Sequence, residues 1–239
     1  MSKYKHERRQ KRAREQRRVA FIIISIAVVL MVLIIALPTL IDAATPVGEI
    51  VQITPVDRPM VSGKTMGNPE APVVIEVFED FQCSACASYT FNTEKQIITD
   101  LIPTGQVLYI FRQYPFLDNN SSIKESDQAA SASMCAMEQE RFWDYHDMLY
   151  TNQSGENVSA FSDKRLIAFA DALGLDVPAF KSCFEENRYQ DQIDQDFAAG
   201  DKLEVTGTPS VFVNGKVIKP GYVPSYSDIK EAVDAALGN

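Results

Sequence analysis

The sequence predicts an α/β fold: a mixed sheet flanked by helices on both faces, interrupted by an inserted helical block and preceded by one apolar membrane span. Three observations predict it. Runs of β-branched and aromatic residues recur at "VVIEVF", "QVLYIFRQ" and "SVFVNGKVI", and such runs read as buried strands. Residues from about 121 to 200 carry helical patterning instead. Finally, Val19 to Ile41 is uncharged and apolar, long enough for a hydrocarbon core that takes about 20 helical residues to cross.

The elements follow in order. "MSKYKHERRQKRAREQRR", residues 1–18, holds nine Lys and Arg against two Glu. A basic flank stays on the cytoplasmic side, so the span at 19–41 leaves everything after Ile41 outside the membrane. The apolar run exceeds the 7–15 residues of a cleaved signal, and "DAA" at 42–44 is a poor cleavage site, which favours an uncleaved anchor. Residues 42–65 carry prolines at 46, 55 and 59 and read as a tether, with one short strand at Glu49 to Thr54. "VVIEVF", from Val73 to Phe78, is the first long strand. A helix runs from Ala85 to about Ile102, where Pro103 and Gly105 break it. The second strand covers Gln106 to Gln113.

A long helical region without Gly or Pro then extends from Ser121 to Asn152. Ser162 and Asp176 stand as caps of two further helices, with Gly174 just past the end of the first. "QDQIDQDFAAGDKLEV" supplies another. The chain returns to strands in a hairpin turning at Asn214-Gly215, a favoured two-residue turn, and "SYSDIKEAVDAALG" closes it with a helix.

Charge narrows the function classes. Removing the nine bases and two acids of the tail from totals of 23 and 32 leaves 14 basic and 30 acidic residues, a net of −16 against −9 for the whole chain. An exported portion this acidic has no basic patch for phosphates, which argues against nucleic-acid binding. Four cysteines are too few for a disulfide scaffold, yet they lie where disulfides persist.

The cysteines carry the chemistry. "EDFQCSACASYT" places Cys83 and Cys86 where a strand gives way to a helix. A structural zinc site takes four ligands in two close pairs; here there is one CxxC, and His146 is the only histidine after the span. No metal is expected. As a staple, Cys83–Cys86 would close almost no loop. A bridge over the 48 residues separating Cys135 from Cys183 would contribute about 4 kcal/mol in the chain-entropy account. Thiol–disulfide exchange explains the placement better. At a helix start, exposed N–H groups and the macrodipole stabilise a thiolate on Cys83. Cys86, one turn further in, is placed to attack a mixed disulfide there. "VTGTPS" sets Pro209 at the start of a strand, after Gly207-Thr208. Such a proline either punctuates the strand or holds a cis bond that displays the preceding backbone to a peptide, and position does not choose between them. Phe142 and Trp143 are expected as packing residues, and His146 as a helix-surface or packing residue.

Together "GNPEAPVVIEVFEDFQCSAC", "SASMCAMEQERFWDYHDMLY" and "VTGTPSVFVNG" resemble the DsbA-like thiol–disulfide oxidoreductases, over residues 66–239. The resemblance implies a thioredoxin fold with a helical insertion at about 121–200. It implies Cys83 as nucleophile, Cys86 as resolving thiol, Pro209 as a cis-proline facing them with Thr208 before it, and a structural disulfide between Cys135 and Cys183. It further implies reduced exported proteins as substrates, a quinone-linked membrane oxidase of the DsbB or VKOR type as redox partner, and tethering to a bacterial cell membrane; no bound cofactor is expected, and the lack of an evident dimerisation helix leans towards a monomer. Two positions depart from the family. Ser84-Ala85 replaces the Pro-His of strongly oxidising members, which predicts a milder oxidant and keeps a reductase or isomerase in play. The acid expected six residues before the first cysteine is Val77, with Glu76 beside it pointing to the other face.

Overall fold

The computed structural model describes Arg14, Arg17, Arg18, residues 21–37 and residues 46–238. The chain divides between Val47 and Gly48 into two units. In the first, residues 21–37 form helix α1, whose large apolar side chains from Phe21 to Leu37 are exposed. The span expected at 19–41 extends past both ends of α1, outside the described residues. Among the described residues no helix is long and apolar enough to cross a membrane.

The second unit is built on two parallel strands, β3 (Val73–Glu79) and β4 (Val107–Gln113), in register from Val73↔Val107 to Glu79↔Gln113. A parallel pair needs a crossover, and helix α2 (Ser84–Tyr89) begins it. The crossover continues through π-helical stretches at Thr90–Glu94 and Ile97–Leu101 and a 3₁₀ turn at Ile102–Thr104, and ends at Gly105 with φ +70°. Strands β5 (Ser210–Val213) and β6 (Lys216–Ile218) form the expected hairpin. Asn214 (φ 47°) and Gly215 (φ 76°) supply the two left-handed residues of its turn.

Two short strands, β1 (Val61–Ser62) and β2 (Thr65–Gly67), complete the order β1-β2-β4-β3-β5-β6 among the described residues. Strand β1 lies in the segment read as tether, and β2 begins at its last residue. Their hairpin turns at Gly63-Lys64, a Gly-first signal that the proline-rich surroundings obscured. At Gly67 (φ +100°) a Cβ would stand 2.2 Å from the Val107 carbonyl oxygen, so only glycine lets β2 approach β4 there.

The expected strand at Glu49 to Thr54 does not form. Instead the Asn152 side chain accepts from the Val51 N–H (2.8 Å) and donates to its carbonyl (2.9 Å), taking the place of a neighbouring strand. Nor does this segment hang free at its end. The Arg58 guanidinium is buried against Asp147 and Glu94, at 2.7 and 3.2 Å.

Between β4 and β5 lie helices α3 (Glu125–Met137), α4 (Phe142–Thr151), α5 (Asp163–Ala172), α6 (Val177–Glu185) and α7 (Gln190–Lys202). The long helical region expected from Ser121 to Asn152 is broken between α3 and α4, where Glu140 adopts φ +59°. The break lets α4 turn its aromatic face, Phe142, Trp143 and His146, onto Phe111 of β4. Asp176 caps α6 by accepting from the Ala179 N–H, whereas the Ser162 side chain makes no cap bond to α5. Helix α8 (Tyr226–Leu237) closes the chain with a Ser225–Asp228 capping box.

Candidate active site

The alternation of β3 aims its odd residues at α2 and its even residues at the opposite face. Val73, Ile75, Val77 and Glu79 are buried on the first face, while Phe78 packs against Tyr114 and Phe212 on the second. The chain leaves β3 through Asp80–Gln82 and enters α2 with Cys83 as its N-cap residue. Asp80 ties down this connection. Its carboxylate accepts from the Gln82 N–H (2.8 Å), the Ser126 hydroxyl at the start of α3 (2.6 Å) and the Leu117 N–H (3.0 Å).

Cys83 and Cys86 are free thiols, the first half-buried and the second fully buried. The Thr208–Pro209 peptide is cis, and the Thr208 carbonyl oxygen lies 3.3 Å from Cys83 Sγ. Position alone had left that proline undecided; the fold brings its loop directly onto the first cysteine. The Cys83 pKa falls to about 6. A hydrogen bond from the Cys86 thiol contributes most, against the cost of burial, with further help from the Thr208 side chain and the N–H groups of Cys86 and Ala85. The Thr208 hydroxyl has no other partner and can donate to the sulfur. Cys86 moves the opposite way. Burial pushes its thiol well up, and donation to Cys83 and the nearby Glu79 charge add to this. The two sulfurs thus differ in both exposure and acidity.

A buried acid does lie under the pair, two residues from where the family pattern looked for it. Val77 is apolar, and Glu76 faces away and pairs with Arg112 at 2.7 Å. Glu79, on the same face as Val77, is fully buried; it accepts from the Tyr150 hydroxyl at 3.0 Å. Burial raises its pKa well above the usual carboxylate range, and Glu94 raises it further. The period-two pattern of β3 carried this signal, because 77 and 79 share a face. His146, expected on the helix surface or in packing, is fully buried against Asp147 (2.9 Å) and Glu94 (3.9 Å).

Cys135 of α3 and Cys183 of α6 are joined in a disulfide within the helical insertion, both fully buried. Beside Ala85 a cavity of about 320 Å³ is lined by residues 206–210 and 217–223, with Tyr222 strongly exposed.

Residues 60–235 match the thioredoxin family. The chain belongs to it. The relatives and solved structures it matches make it a DsbA-like thiol–disulfide oxidoreductase. A probable disulfide bond formation protein D of Bacillus cereus is 28% identical over 178 residues, covering 73% of this chain and 78% of that protein. The crystal structure of oxidised BdbD from Bacillus subtilis superposes with a TM-score of 0.66 at 25% identity, covering 80% of this chain and all of that one. A crystal structure of α-DsbA1 from Wolbachia pipientis gives 0.61 at 25% identity, over 76% of this chain and 94% of that one.

Proposed function

We propose that this thiol–disulfide oxidoreductase is held in a cell membrane by residues 19–41 and introduces disulfides into exported proteins on the outer side. The observation that carries the chemical part is the Cys83 sulfur. It belongs to the N-cap residue of α2, sits 3.3 Å from the carbonyl before a cis-proline, and has its pKa lowered to about 6 while burial raises that of its neighbour. In the disulfide form, a substrate thiolate attacks Cys83 Sγ and the Cys83–Cys86 bond breaks, leaving a mixed disulfide; Cys86 departs with the electron pair and takes a proton. A second substrate thiolate then attacks the substrate sulfur and expels Cys83 as thiolate. A leaving thiol of low pKa leaves faster, which drives the exchange towards substrate oxidation. The two electrons now held by the Cys83–Cys86 dithiol pass to a membrane oxidant, which we take to be a quinone-linked oxidase.

Extended substrate backbone fits beside Thr208 and Pro209, with the cavity under Tyr222 taking an apolar side chain. Outward placement rests on the basic flank of the apolar run and on the disulfide between Cys135 and Cys183, a bond of oxidising compartments. Ser84-Ala85 in place of Pro-His favours an oxidant milder than the strongest members.

The reduction potential of the purified protein decides the direction of exchange. A value well above about −270 mV, with oxidation of a reduced unfolded substrate, supports the reading. A value near −270 mV with no such oxidation overturns it in favour of a reductase. A reporter fused after residue 239 tests the topology, and a cytoplasmic signal would sink the placement.

A further inference from the structure

Beneath Cys86 lies a buried polar network whose outer atoms are held and whose inner atoms converge. Glu79 Oε2 accepts from Tyr150, while Glu94 takes Arg58 on Oε1 (3.2 Å) and Tyr109 on Oε2 (3.0 Å). Asp147 receives two bonds from Arg58, at 2.9 and 2.7 Å, and stands 2.9 Å from His146 Nδ1. A carboxylate in that position takes the Nδ1 proton as a hydrogen bond and leaves the Nε2 lone pair facing Glu94. The ligand atoms of Glu79, Glu94 and His146 all lie within 4.8 Å of one another, on three fully buried side chains. His146 Nε2 and Glu79 Oε1 have no hydrogen-bond partner, and neither does the Tyr89 hydroxyl.

The charges point the same way. Three acidic side chains, Glu79, Glu94 and Asp147, share this interior with a single guanidinium, Arg58, a surplus of acidic groups that a bound cation would offset. A cavity of about 370 Å³, lined in part by Arg58, Thr90, Glu94 and Asp147, gives an approach from the surface.

We propose that Glu79, Glu94 and His146 form a binding site for a divalent first-row cation, with zinc the best match to one imidazole nitrogen and two carboxylates. Zinc takes nitrogen at about 2.0–2.1 Å and carboxylate oxygen at about 2.0–2.2 Å. Tetrahedral ligand atoms then stand about 3.3 Å apart, so the trio closes around an ion by side-chain rotation. Tyr150, Arg58 and Asp147 are the outer partners that orient ligands in such sites, the Asp147–His146 pair in particular. Water completes the coordination, with the Tyr89 hydroxyl beside it. The cysteine spacing in the sequence predicts no metal, because these three residues converge only in the fold. The inference does not depend on the redox reading.

The test uses the full-length Cys83→Ser/Cys86→Ser variant, which lacks the thiols that would otherwise bind zinc. Titration with Co²⁺ is expected to give one equivalent of bound metal with visible ligand-field absorption, displaced by Zn²⁺. In that background His146→Gln and Glu94→Gln each weaken binding by about 100-fold or more, and Asp147→Asn by about 10–100-fold. Circular dichroism checks that each variant folds. Should one fail to fold, X-ray absorption of the zinc-loaded parent decides through the presence of a single imidazole. No saturable binding up to about 1 mM cation, affinity unchanged by His146→Gln and Glu94→Gln, or zinc coordinated without imidazole would each overturn the proposal.

Discussion

Two pairs of cysteines stand in this chain under opposite conditions. Cys135 and Cys183 lie on different helices, 48 residues apart, fully buried and bonded. Cys83 and Cys86 lie one helical turn apart, remain thiols, and differ sharply in acidity. Loop length explains the first pair. A bridge over a long separation removes much freedom from the unfolded chain, while one over three residues removes little. Environment explains the second. Helix-end N–H groups, a neighbouring thiol and the Thr208 loop converge on Cys83, whereas Cys86 is sealed against Glu79. A cysteine's task here is set by what surrounds its sulfur and by how much chain it would enclose.

The comparison breaks first at Cys83. Cys83→Ser should abolish disulfide exchange with a reduced peptide while leaving the Cys135–Cys183 bridge intact, as peptide mapping would reveal; residual exchange close to the parent rate would assign the chemistry elsewhere. Replacing the other pair, Cys135→Ala with Cys183→Ala, should instead preserve the exchange rate and cost about 2–5 kcal/mol in urea denaturation.

Acidity sharpens the contrast next. The rate of alkylation at Cys83 should rise with pH to a midpoint near 6 and level off above it, instead of climbing through the free thiol value of about 8.5. The same ionisation is linked to stability. A folded thiol pKa below the unfolded one stabilises the dithiol protein fully above the unfolded value, and this advantage is lost as pH falls through 6. Melting temperatures of the dithiol and disulfide forms should therefore converge on acidification from pH 8 to about 5. The smallest effect is expected from Thr208→Val, which removes one donor to the thiolate. It should move the alkylation midpoint up by about one pH unit, and an unmoved midpoint would strike Thr208 from the group that tunes Cys83.

Much of this arrangement was legible beforehand, for identifiable reasons. Strand β3, the crossover helix, β4 and the Asn214-Gly215 hairpin announce themselves through local patterning and turn chemistry, and the CxxC falls at a boundary that this patterning fixes. What escaped depended on partners distant in the chain. Glu79 was passed over because its neighbours Tyr150 and Glu94 come from the insertion and the crossover helix. Arg58 was read as part of a tether because the acids that bury it, Glu94 and Asp147, follow 36 and 89 residues later. The break between α3 and α4 falls at an unremarkable Glu140, where no glycine or proline marks it.

The sequence by itself determined the order from β3 through the crossover helix, β4, the helical insertion and the β5–β6 hairpin to the closing helix, the basic tail with its apolar run, and a cysteine pair at a helix start, since periodicity, caps and charge act over a few residues. Only the tertiary structure decided that the Thr208–Pro209 loop faces Cys83, that Cys135 meets Cys183, and that Glu79, Glu94 and His146 share one interior. Those meetings join residues that the chain keeps apart, and packing of the sheet against its inserted helices is what brings their atoms within bonding distance.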